Sequence, residues 1–412
     1  MTRHTSTVLI LLVAAALLAS CVPPTEPDTP RIRITDPTPY FLRTIDLSQQ
    51  DQGFDVKQLS DSGFIIVGHT YRANNSSIDM LLTRTDEEGH TLWVKTFGGI
   101  YADEAYSVVE TPDGGFLLAG TTQSFTNGYT DIWLLRTDAM GELRWYRNYG
   151  GTGKDYLGEV INCSTGGFLM TGSIEDPIAK KFLTVVMKLD DLGGITWDYS
   201  RGGSERDLGS AAMENDDGTF LIGCTTEFRG NGKTRIHLFT MTSDGYVDTS
   251  AFNWESAYGE PASKALSDFA FSPTGTIGII GDINPSTSAS HMLFITISLT
   301  SGIVEEQILQ NDALGKSIAA TSDGGFIVCG YTEPYGGAGS DIILLKFDAT
   351  GKETWRKTIG GSHLDRAFGI SNVADGGFIL TGTTESFGVA SNGSSDLLLL
   401  KTDANGNYEE AH

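Results

Sequence analysis

Five aspartates recur at one position of a repeated phrase, and they are the most regular candidates for chemistry in this chain. Each lies thirteen residues before the first apolar residue of a run such as "FLLAGTT" at 116–122, and the five are Asp51, Asp103, Asp155, Asp207 and Asp365. Carboxylates that gather at one place bind a cation or a polar ligand. The alternative is structural, because an Asp at a tight turn accepts backbone N–H groups and holds neighbouring elements together.

Four aromatic residues form a second series, each five positions after a glycine of the same run: Phe125, Phe228, Tyr335 and Phe387. Aromatic rings stack against the apolar faces of sugars, and carboxylates accept hydrogen bonds from sugar hydroxyl groups. The two series together therefore predict a ligand site of the kind that a glycan uses. The alternative for the aromatic residues is packing beneath their own loops.

Other chemistries have less support in the sequence. No His pairs with a Ser or Cys nucleophile and an acid in a known order. The turn "TDANGN" at 402–407 lacks the later ligands of a calcium loop, and Cys163, Cys224 and Cys329 have no metal-binding spacing. The sequence therefore predicts no metal and no cofactor, and it selects no catalytic residue. Two catalytic carboxylates from different repeats stay an open alternative.

The elements that must position these residues repeat seven times. The first apolar residue of each run, here called the marker residue, falls at Phe64, Phe116, Phe168, Phe220, Ile277, Phe326 and Phe378. Successive spacings are 52, 52, 52, 57, 49 and 52 residues. A nearly constant period of this length indicates a repeat architecture.

Each repeat contains four strand-length segments, which in the second copy are "AYSVVET", "FLLAGTT", "DIWLLRTD" and "LRWYRNY". The middle two are apolar throughout, which suits strands covered on both faces. The fourth alternates and carries Arg, as an exposed edge strand does. Four antiparallel strands of this kind form one blade of a β-propeller. The sequence therefore predicts an all-β, seven-bladed propeller, with the five aspartates around one mouth of its channel.

The tryptophans predict how the ring of blades closes. Five of the six lie on the fourth strand, 23 residues before a marker residue: Trp93, Trp145, Trp197, Trp254 and Trp355. Packing between neighbouring blades explains such large rings. The last repeat ends without this strand, whereas "YFLRTID" at 40–46 places Phe41 in the same position. The N-terminal strand is therefore predicted to complete the C-terminal blade, which makes 40–412 one domain.

Two phrases carry a resemblance to known proteins. "DGGFILTGTTESFG" at 375–388 and "DIILLKFDATGKETWRKTIGG" at 341–361 resemble the repeats of secreted bacterial β-propeller lipoproteins. Asp348, Gly351 and Trp355 are similar to the tryptophan motif of quinoprotein-type propellers. The resemblance implies a propeller outside the cytoplasm. Quinoproteins usually have eight blades on a shorter repeat, whereas this chain has seven repeats. A quinone-dependent oxidoreductase is therefore the third function considered, after a binding module and a carbohydrate-active enzyme.

Three repeats depart from this pattern at the residue that opens the third strand. Four repeats have an aspartate there, at Asp79, Asp131, Asp341 and Asp396. The third, fourth and fifth repeats instead have Leu183, Arg235 and Met292. The resemblance is therefore clearest in the first, second, sixth and seventh blades.

Residues 1–20 have the pattern of a lipoprotein signal peptide. Arg3 precedes the apolar run "VLILLVAAALL", and the ending "LASC" resembles a bacterial lipobox. This resemblance implies lipidation of Cys21, and Val22 after it favours the outer membrane of a diderm bacterium. The alternative is a plain signal peptide. Residues 21–39 hold six of the twelve prolines and are predicted to form an extended tether.

The net charge of the chain restricts the classes of partner that it is expected to bind. Lys and Arg total 28 against 52 Asp and Glu, a net charge of −24, which repels nucleic acid. The sequence thus predicts a monomeric lipoprotein of the cell envelope, held to the membrane by its lipid anchor, that binds a glycan or protein ligand without catalysis. The alternative is a carbohydrate-active enzyme, a glycoside hydrolase or lyase, with carboxylates on the top face.

Overall fold

The strands of this chain form seven antiparallel sheets, each built by consecutive segments of the chain. The computed structural model describes residues 40–410 except 48–49, 73–76, 127, 203–206, 228–232, 257–261, 285–289, 300, 303, 334–338 and 389–393. These residues contain 29 strands and no helix. None of the described residues therefore belongs to a helix that could cross a membrane.

Each blade begins with an inner strand that lines the central channel. Numbered along the chain, the inner strands are β2 (Asp51–Gln58), β6 (Asp103–Glu110), β10 (Asp155–Asn162), β14 (Asp207–Glu214), β18 (Lys264–Phe271), β22 (Ala313–Ala320) and β26 (Asp365–Asn372). Each contacts the inner strand of the next blade, and β2 contacts β26. The seven sheets thus close into a ring, and the seven-bladed propeller predicted from the sequence is confirmed.

The second and third strands of each blade form its covered middle. The second strands are β3 (Phe64–Tyr71), β7 (Phe116–Thr122), β11 (Phe168–Asp176), β15 (Phe220–Glu227), β19 (Thr276–Ile283), β23 (Phe326–Thr332) and β27 (Phe378–Thr384). The third strands are β4 (Ile78–Thr85), β8 (Asp131–Thr137), β12 (Lys181–Leu189), β16 (Thr234–Met241), β20 (His291–Ser298), β24 (Ile342–Phe347) and β28 (Asp396–Thr402). Every residue of β7, β8, β27 and β28 is buried, as uninterrupted apolar segments require.

The outer strand of each blade lies at the rim of the ring, and aromatic residues on several of these strands pack against the neighbouring blade. The outer strands are β5 (Thr91–Phe97), β9 (Leu143–Tyr149), β13 (Ile195–Arg201), β17 (Asn253–Glu255), β21 (Val304–Asn311), β25 (Glu353–Ile359) and, for the last blade, β1 (Phe41–Ile45). The Trp93 ring lies 6.1 Å from that of Phe116, the marker residue of the next blade. The Trp355 and Phe378 rings are 6.4 Å apart. The predicted packing between blades is confirmed at these positions.

The chain closes the ring with its N-terminal strand, as predicted. β1 pairs antiparallel with β28, from Phe41 opposite Lys401 to Ile45 opposite Leu397. The Phe41 ring lies 6.3 Å from Phe64, which repeats the contact made elsewhere by tryptophan. One feature was not predicted: β29 (Glu409–Glu410) adds a short parallel fifth strand outside β1. The closing strand is therefore held on both edges.

Candidate functional site

A β-bulge in every inner strand turns one residue of each blade into the channel. The register between the first two strands of the blade shifts at the bulge, for example between Gly53 and Asp55 and between Ala105 and Ser107. The extra residue lies ten positions before the marker residue. These seven channel residues are Phe54, Tyr106, Gly158, Ser210, Ser267, Lys316 and Phe368. Bulges re-aim side chains in this way, and they are common beside active sites.

Large side chains fill the channel on the side of the seventh, first and second blades. The Phe54 ring lies 5.0 Å from Tyr106 and 5.1 Å from Phe368. His69 packs on the same ring, with 5.4 Å between centroids. The Tyr106 hydroxyl donates a 2.7 Å hydrogen bond to Glu104, which fixes the edge of this aromatic cluster. The channel is thus closed on one side by packed rings.

The opposite side of the channel is open because its residues are small. Gly158, Ser210 and Ser267 take the positions that aromatic rings fill elsewhere, and all three line a cavity of about 550 Å³. The cavity lies on the upper face, defined as the face where the inner strands begin. Its volume is within the range of sites for small ligands. We call it the upper-mouth cavity.

The wall of the upper-mouth cavity combines aromatic and charged groups. Tyr156 and Phe182 face each other with centroids 5.8 Å apart, and Tyr156 is 40% exposed. Lys154 and Glu175 complete this wall, and a Glu175 oxygen accepts the Lys154 backbone N–H at 2.9 Å. An exposed ring beside a cation and a carboxylate can stack on one face of a ligand and hydrogen-bond its edge. This chemistry suits a sugar.

Charged side chains line the channel directly below the cavity. Asp55, Lys57, Glu159 and Asp268 surround a space of about 150 Å³ that shares Gly158, Ser210 and Ser267 with the cavity above. The Lys57 ammonium lies 2.9 Å from Asp55. Burial lowers the pKa of Lys57, but the carboxylates of Asp55, Glu159 and Asp268 outweigh it and raise that pKa. Lys57 therefore stays protonated and balances part of the negative charge.

All three carboxylates of this group also link neighbouring blades. Asp55 accepts the backbone N–H of Val108 at 3.0 Å, and Asp268 accepts that of Ile318 at 3.1 Å. Glu159 accepts the Ala212 N–H at 2.9 Å. In each case the acceptor satisfies an N–H group beside the bulge of the next blade. The need to hydrogen-bond these backbone N–H groups therefore explains why a carboxylate acceptor lies at each of these channel positions.

Two channel carboxyl groups hold protons more tightly than usual. Burial, followed by the charge of Asp268, raises the pKa of Glu159 to about 8. Burial raises the pKa of Asp268 to about 6. The ionised form of a carboxylate is disfavoured where water is excluded and another negative charge is near. We call the charged group below the cavity, formed by Asp55, Lys57, Glu159 and Asp268, the channel floor. It thus contains two carboxyl groups that can donate a proton near neutral pH.

Stability is expected to fall with rising pH because of Glu159. Its pKa is raised in the folded protein, so its contribution is present below the ordinary value of 4.5 and is lost as the pH rises through about 8. In Glu159→Gln the free energy of unfolding should therefore depend less on pH between about 5 and about 9, as measured by urea unfolding. The exposed control Glu87→Gln should keep the wild-type slope. An unchanged slope in Glu159→Gln would show that Glu159 does not titrate in this range.

The predicted aspartates occupy equivalent buried positions at the starts of inner strands. Asp51, Asp103, Asp155, Asp207 and Asp365 are each 3% exposed or less. Asp103 accepts the Gly99 N–H at 2.8 Å and hydrogen bonds from Ser124 and Thr122. Asp155 and Asp365 accept the same kind of backbone N–H, from Gly151 at 2.7 Å and Gly361 at 2.9 Å. The structure thus gives them turn-holding contacts, and direct ligand binding by them stays a prediction.

Two of the predicted aromatic residues, Phe125 and Phe387, are not among the residues that line the upper-mouth cavity. Phe125 packs against Trp133, with centroids 5.0 Å apart, and 43% of it is exposed. Phe387 packs on the core between the sixth and seventh blades. Phe228 and Tyr335 lie outside the described residues. Their role in ligand binding also stays a prediction.

Sequence reasoning missed the residues that form the cavity, although a signal for them exists. The position ten before the marker residue reads Phe, Tyr, Gly, Ser, Ser, Lys, Phe through the seven repeats. A run of three small residues among large ones indicates a cavity on one side of a shared axis. Finding it requires knowing that this position contains the bulge, and the bulge has no fixed sequence pattern.

Comparison with known proteins supports the fold. No protein-family model and no curated protein matches the chain. The solved structure of polysaccharide lyase Uly1 is similar with a TM-score of 0.57 and 11% identity, over 87% of this chain and 91% of that one. The solved structure of the RRP9 WD40 repeats is similar with a TM-score of 0.53 and 8% identity, over 88% of this chain and 98% of that one. The β-propeller domain of the Trilobed protease from Pyrococcus furiosus is similar with a TM-score of 0.50 and 11% identity, over 88% of this chain and 98% of that one. At such identities the likeness shows a β-propeller fold alone.

Proposed function

We propose that this protein is a binding module that holds a carbohydrate in the upper-mouth cavity without cleaving it. The observation that carries the proposal is the cavity wall, where the exposed Tyr156 ring lies beside Lys154 and Glu175. A sugar offers an apolar C–H face to the ring and hydroxyl groups to the charged side chains. The polysaccharide lyase among the similar structures is a precedent for polysaccharide recognition on this fold.

The proposed location is the cell envelope, with Cys21 lipidated and residues 22–39 as the tether. The lipobox-like "LASC" and the six prolines that follow it support this location. A tether of this composition is semi-rigid and holds a domain away from the lipid surface. The ligand would then be a polysaccharide or glycoprotein that reaches the outer surface of the membrane.

A glycan-cleaving enzyme is the second candidate, and the channel floor favours it. Glu159 and Asp268 are carboxyl groups with raised pKa values directly beneath the cavity. Glycoside cleavage uses two carboxyl groups, one of them an acid that is protonated near neutral pH. Binding remains the preferred function because the hydrogen bonds of both groups to the next blade explain their presence without chemistry.

Retention of the full chain on a panel of immobilised polysaccharides tests the proposal. Tyr156→Ala removes the ring, and Ser210→Tyr fills the cavity with the side chain that the second blade has at Tyr106. Each is expected to weaken retention at least about tenfold, a loss of about 1.4 kcal/mol that one stacking contact accounts for. The control Tyr246→Ala, at a side chain 73% exposed on the opposite face, should bind as the wild type does.

Two outcomes would contradict this function. Full retention by folded Tyr156→Ala and Ser210→Tyr would place the ligand elsewhere. Release of reducing ends by the wild type, lost in Glu159→Gln, would identify an enzyme in place of a binding module. Melting temperature, measured on each variant, separates loss of the site from loss of the fold.

A further inference from the structure

The junctions between blades carry pairs of aspartates on the upper face. At each junction the residue that opens a third strand lies near the residue that opens the next inner strand. Four junctions place two aspartates at these positions: Asp79 with Asp103, Asp131 with Asp155, Asp341 with Asp365, and Asp396 with Asp51. Two carboxylates in such proximity repel each other, and where both are buried a positive charge or a proton stabilises the pair.

A glycine lies against the paired carboxylates at three of these junctions. A methyl group on Gly98 would overlap Asp79 and lie 2.9 Å from the Asp103 Oδ2 atom. Gly150 and Gly360 have the same relation to their own pairs. Where Leu183 replaces the first aspartate, its side chain covers the equivalent Gly202. An apolar side chain can therefore pack this junction, and blade packing alone does not require the carboxylates.

The first junction shows how the chain compensates one such pair. The Arg72 side chain donates to Asp79 through Nε. The same guanidinium donates to the Gly99 carbonyl at 3.1 Å and to the Gly98 carbonyl at 3.3 Å. A cation bound by carboxylate and carbonyl oxygens thus occupies this junction.

Asp396, at the junction that closes the ring, has no such compensation in the part of the chain that the structure describes. It is 0% exposed, and neither of its oxygens has a hydrogen-bond partner among the described residues. The oxygens of Asp51 accept hydrogen bonds from the Leu47 N–H at 2.8 Å and from Thr70. The carboxylates of Asp46 and Asp51 lie near enough to repel the Asp396 carboxylate. A buried carboxylate without a donor is costly, and it identifies this junction as incomplete without a ligand.

We propose that a calcium ion binds at this junction, between Asp396 and Asp51. The Thr44 hydroxyl is close to Asp396, since both would lie within 2.7 Å of a methyl group placed on Gly388. Asp46 is exposed and adds negative charge on the solvent side. Carboxylate and hydroxyl oxygens are the ligands of hard cations such as Ca²⁺. The sequence analysis assigned no metal, although a cation was one interpretation of the aspartate series that contains Asp51. The inference places a cation at one junction of that series, together with Asp396, which lies outside it.

The bound ion would join three strands that are distant in the sequence. Thr44 belongs to β1, Asp51 to β2 and Asp396 to β28, so these are the closing strand and its neighbours in the last and first blades. Calcium would therefore stabilise the closed ring. This role is independent of the ligand proposed for the upper-mouth cavity.

Thermal unfolding of the full chain with EDTA and then with calcium tests the proposal. About 1 mM Ca²⁺ is expected to raise the melting temperature of the wild type by about 3–6 °C. Asp396→Asn should melt above the wild type in EDTA, because the amide removes the repulsion, and it should lose most of the response to calcium. The control Asp244→Asn, on an exposed turn, should respond as the wild type does.

Three results would overturn the calcium site. One is a wild-type melting temperature that calcium leaves unchanged, and another is an equal response in Asp396→Asn. If Asp396→Asn does not fold, calorimetric titration of calcium into the wild-type chain decides the question, and the absence of binding heat is the third.

Discussion

Deletion of residues 40–46 is expected to lower the free energy of unfolding by at least about 5 kcal/mol, because β1 buries three apolar side chains worth about 1.5–3 kcal/mol each. Phe41, Leu42 and Ile45 are all 7% exposed or less. The deletion also exposes the edge of β28, whose residues from Leu397 to Leu400 are apolar. An uncovered apolar edge pairs with other chains, so aggregation should increase.

Urea unfolding and light scattering measure the two effects of this deletion. The matched control removes residues 22–37, which precede the strand, and it should change neither quantity. Leu42→Ala isolates one contact and should lower stability by about 2–5 kcal/mol. Equal stability of the two truncated chains would show that the N-terminal strand does not close the ring.

The second large effect is expected at Asp103, one of the regularly spaced aspartates. Asp103→Ala should destabilise the protein by about 3–5 kcal/mol, since a buried donor left without an acceptor costs about 1–3 kcal/mol. The donors left behind are the Gly99 N–H, the Ser124 hydroxyl and the Thr122 hydroxyl. Asp103→Asn keeps one acceptor oxygen and should lose less.

Chemical denaturation with a parallel binding assay distinguishes the two roles considered for this series. The exposed control Asp244→Ala should change stability by about 0.5 kcal/mol or less. Asp103→Ala should retain polysaccharides as the wild type does under conditions where it is folded. Intact stability combined with lost retention would instead assign Asp103 to the ligand.

The fold could be predicted because its signals are local and repeated. Gly-flanked apolar segments of strand length recur at nearly constant spacing, and Phe41 stands where the other repeats have tryptophan. β29 could not be predicted, because two glutamates have no strand pattern and pair only because β1 offers a free edge. Sequence periodicity thus predicts the strands that carry the core, and tertiary context decides the rest.

The candidate site was less predictable because it depends on packing across the channel. Aspartate recurs at the position of Asp103 in five of the seven blades, where its contacts to the preceding turn give it a structural role. Tyr156 and Gly158 have no counterpart of the same type in other blades, so regular spacing cannot reveal them. Contacts between residues about 50 positions apart bring Gly158 beside Ser210. Residues that recur between blades therefore indicate a structural role, whereas the residues of the candidate site differ from blade to blade.

The asymmetric channel gives the two sides of the ring different roles. The first, second, sixth and seventh blades share an aspartate at the start of the third strand, whereas the other three have Leu183, Arg235 and Met292 there. The same three blades have Gly158, Ser210 and Ser267 around the cavity. The side that holds the cavity is therefore separate from the side where the terminal strands close the ring, so a substitution around the cavity can alter it without disturbing the closure.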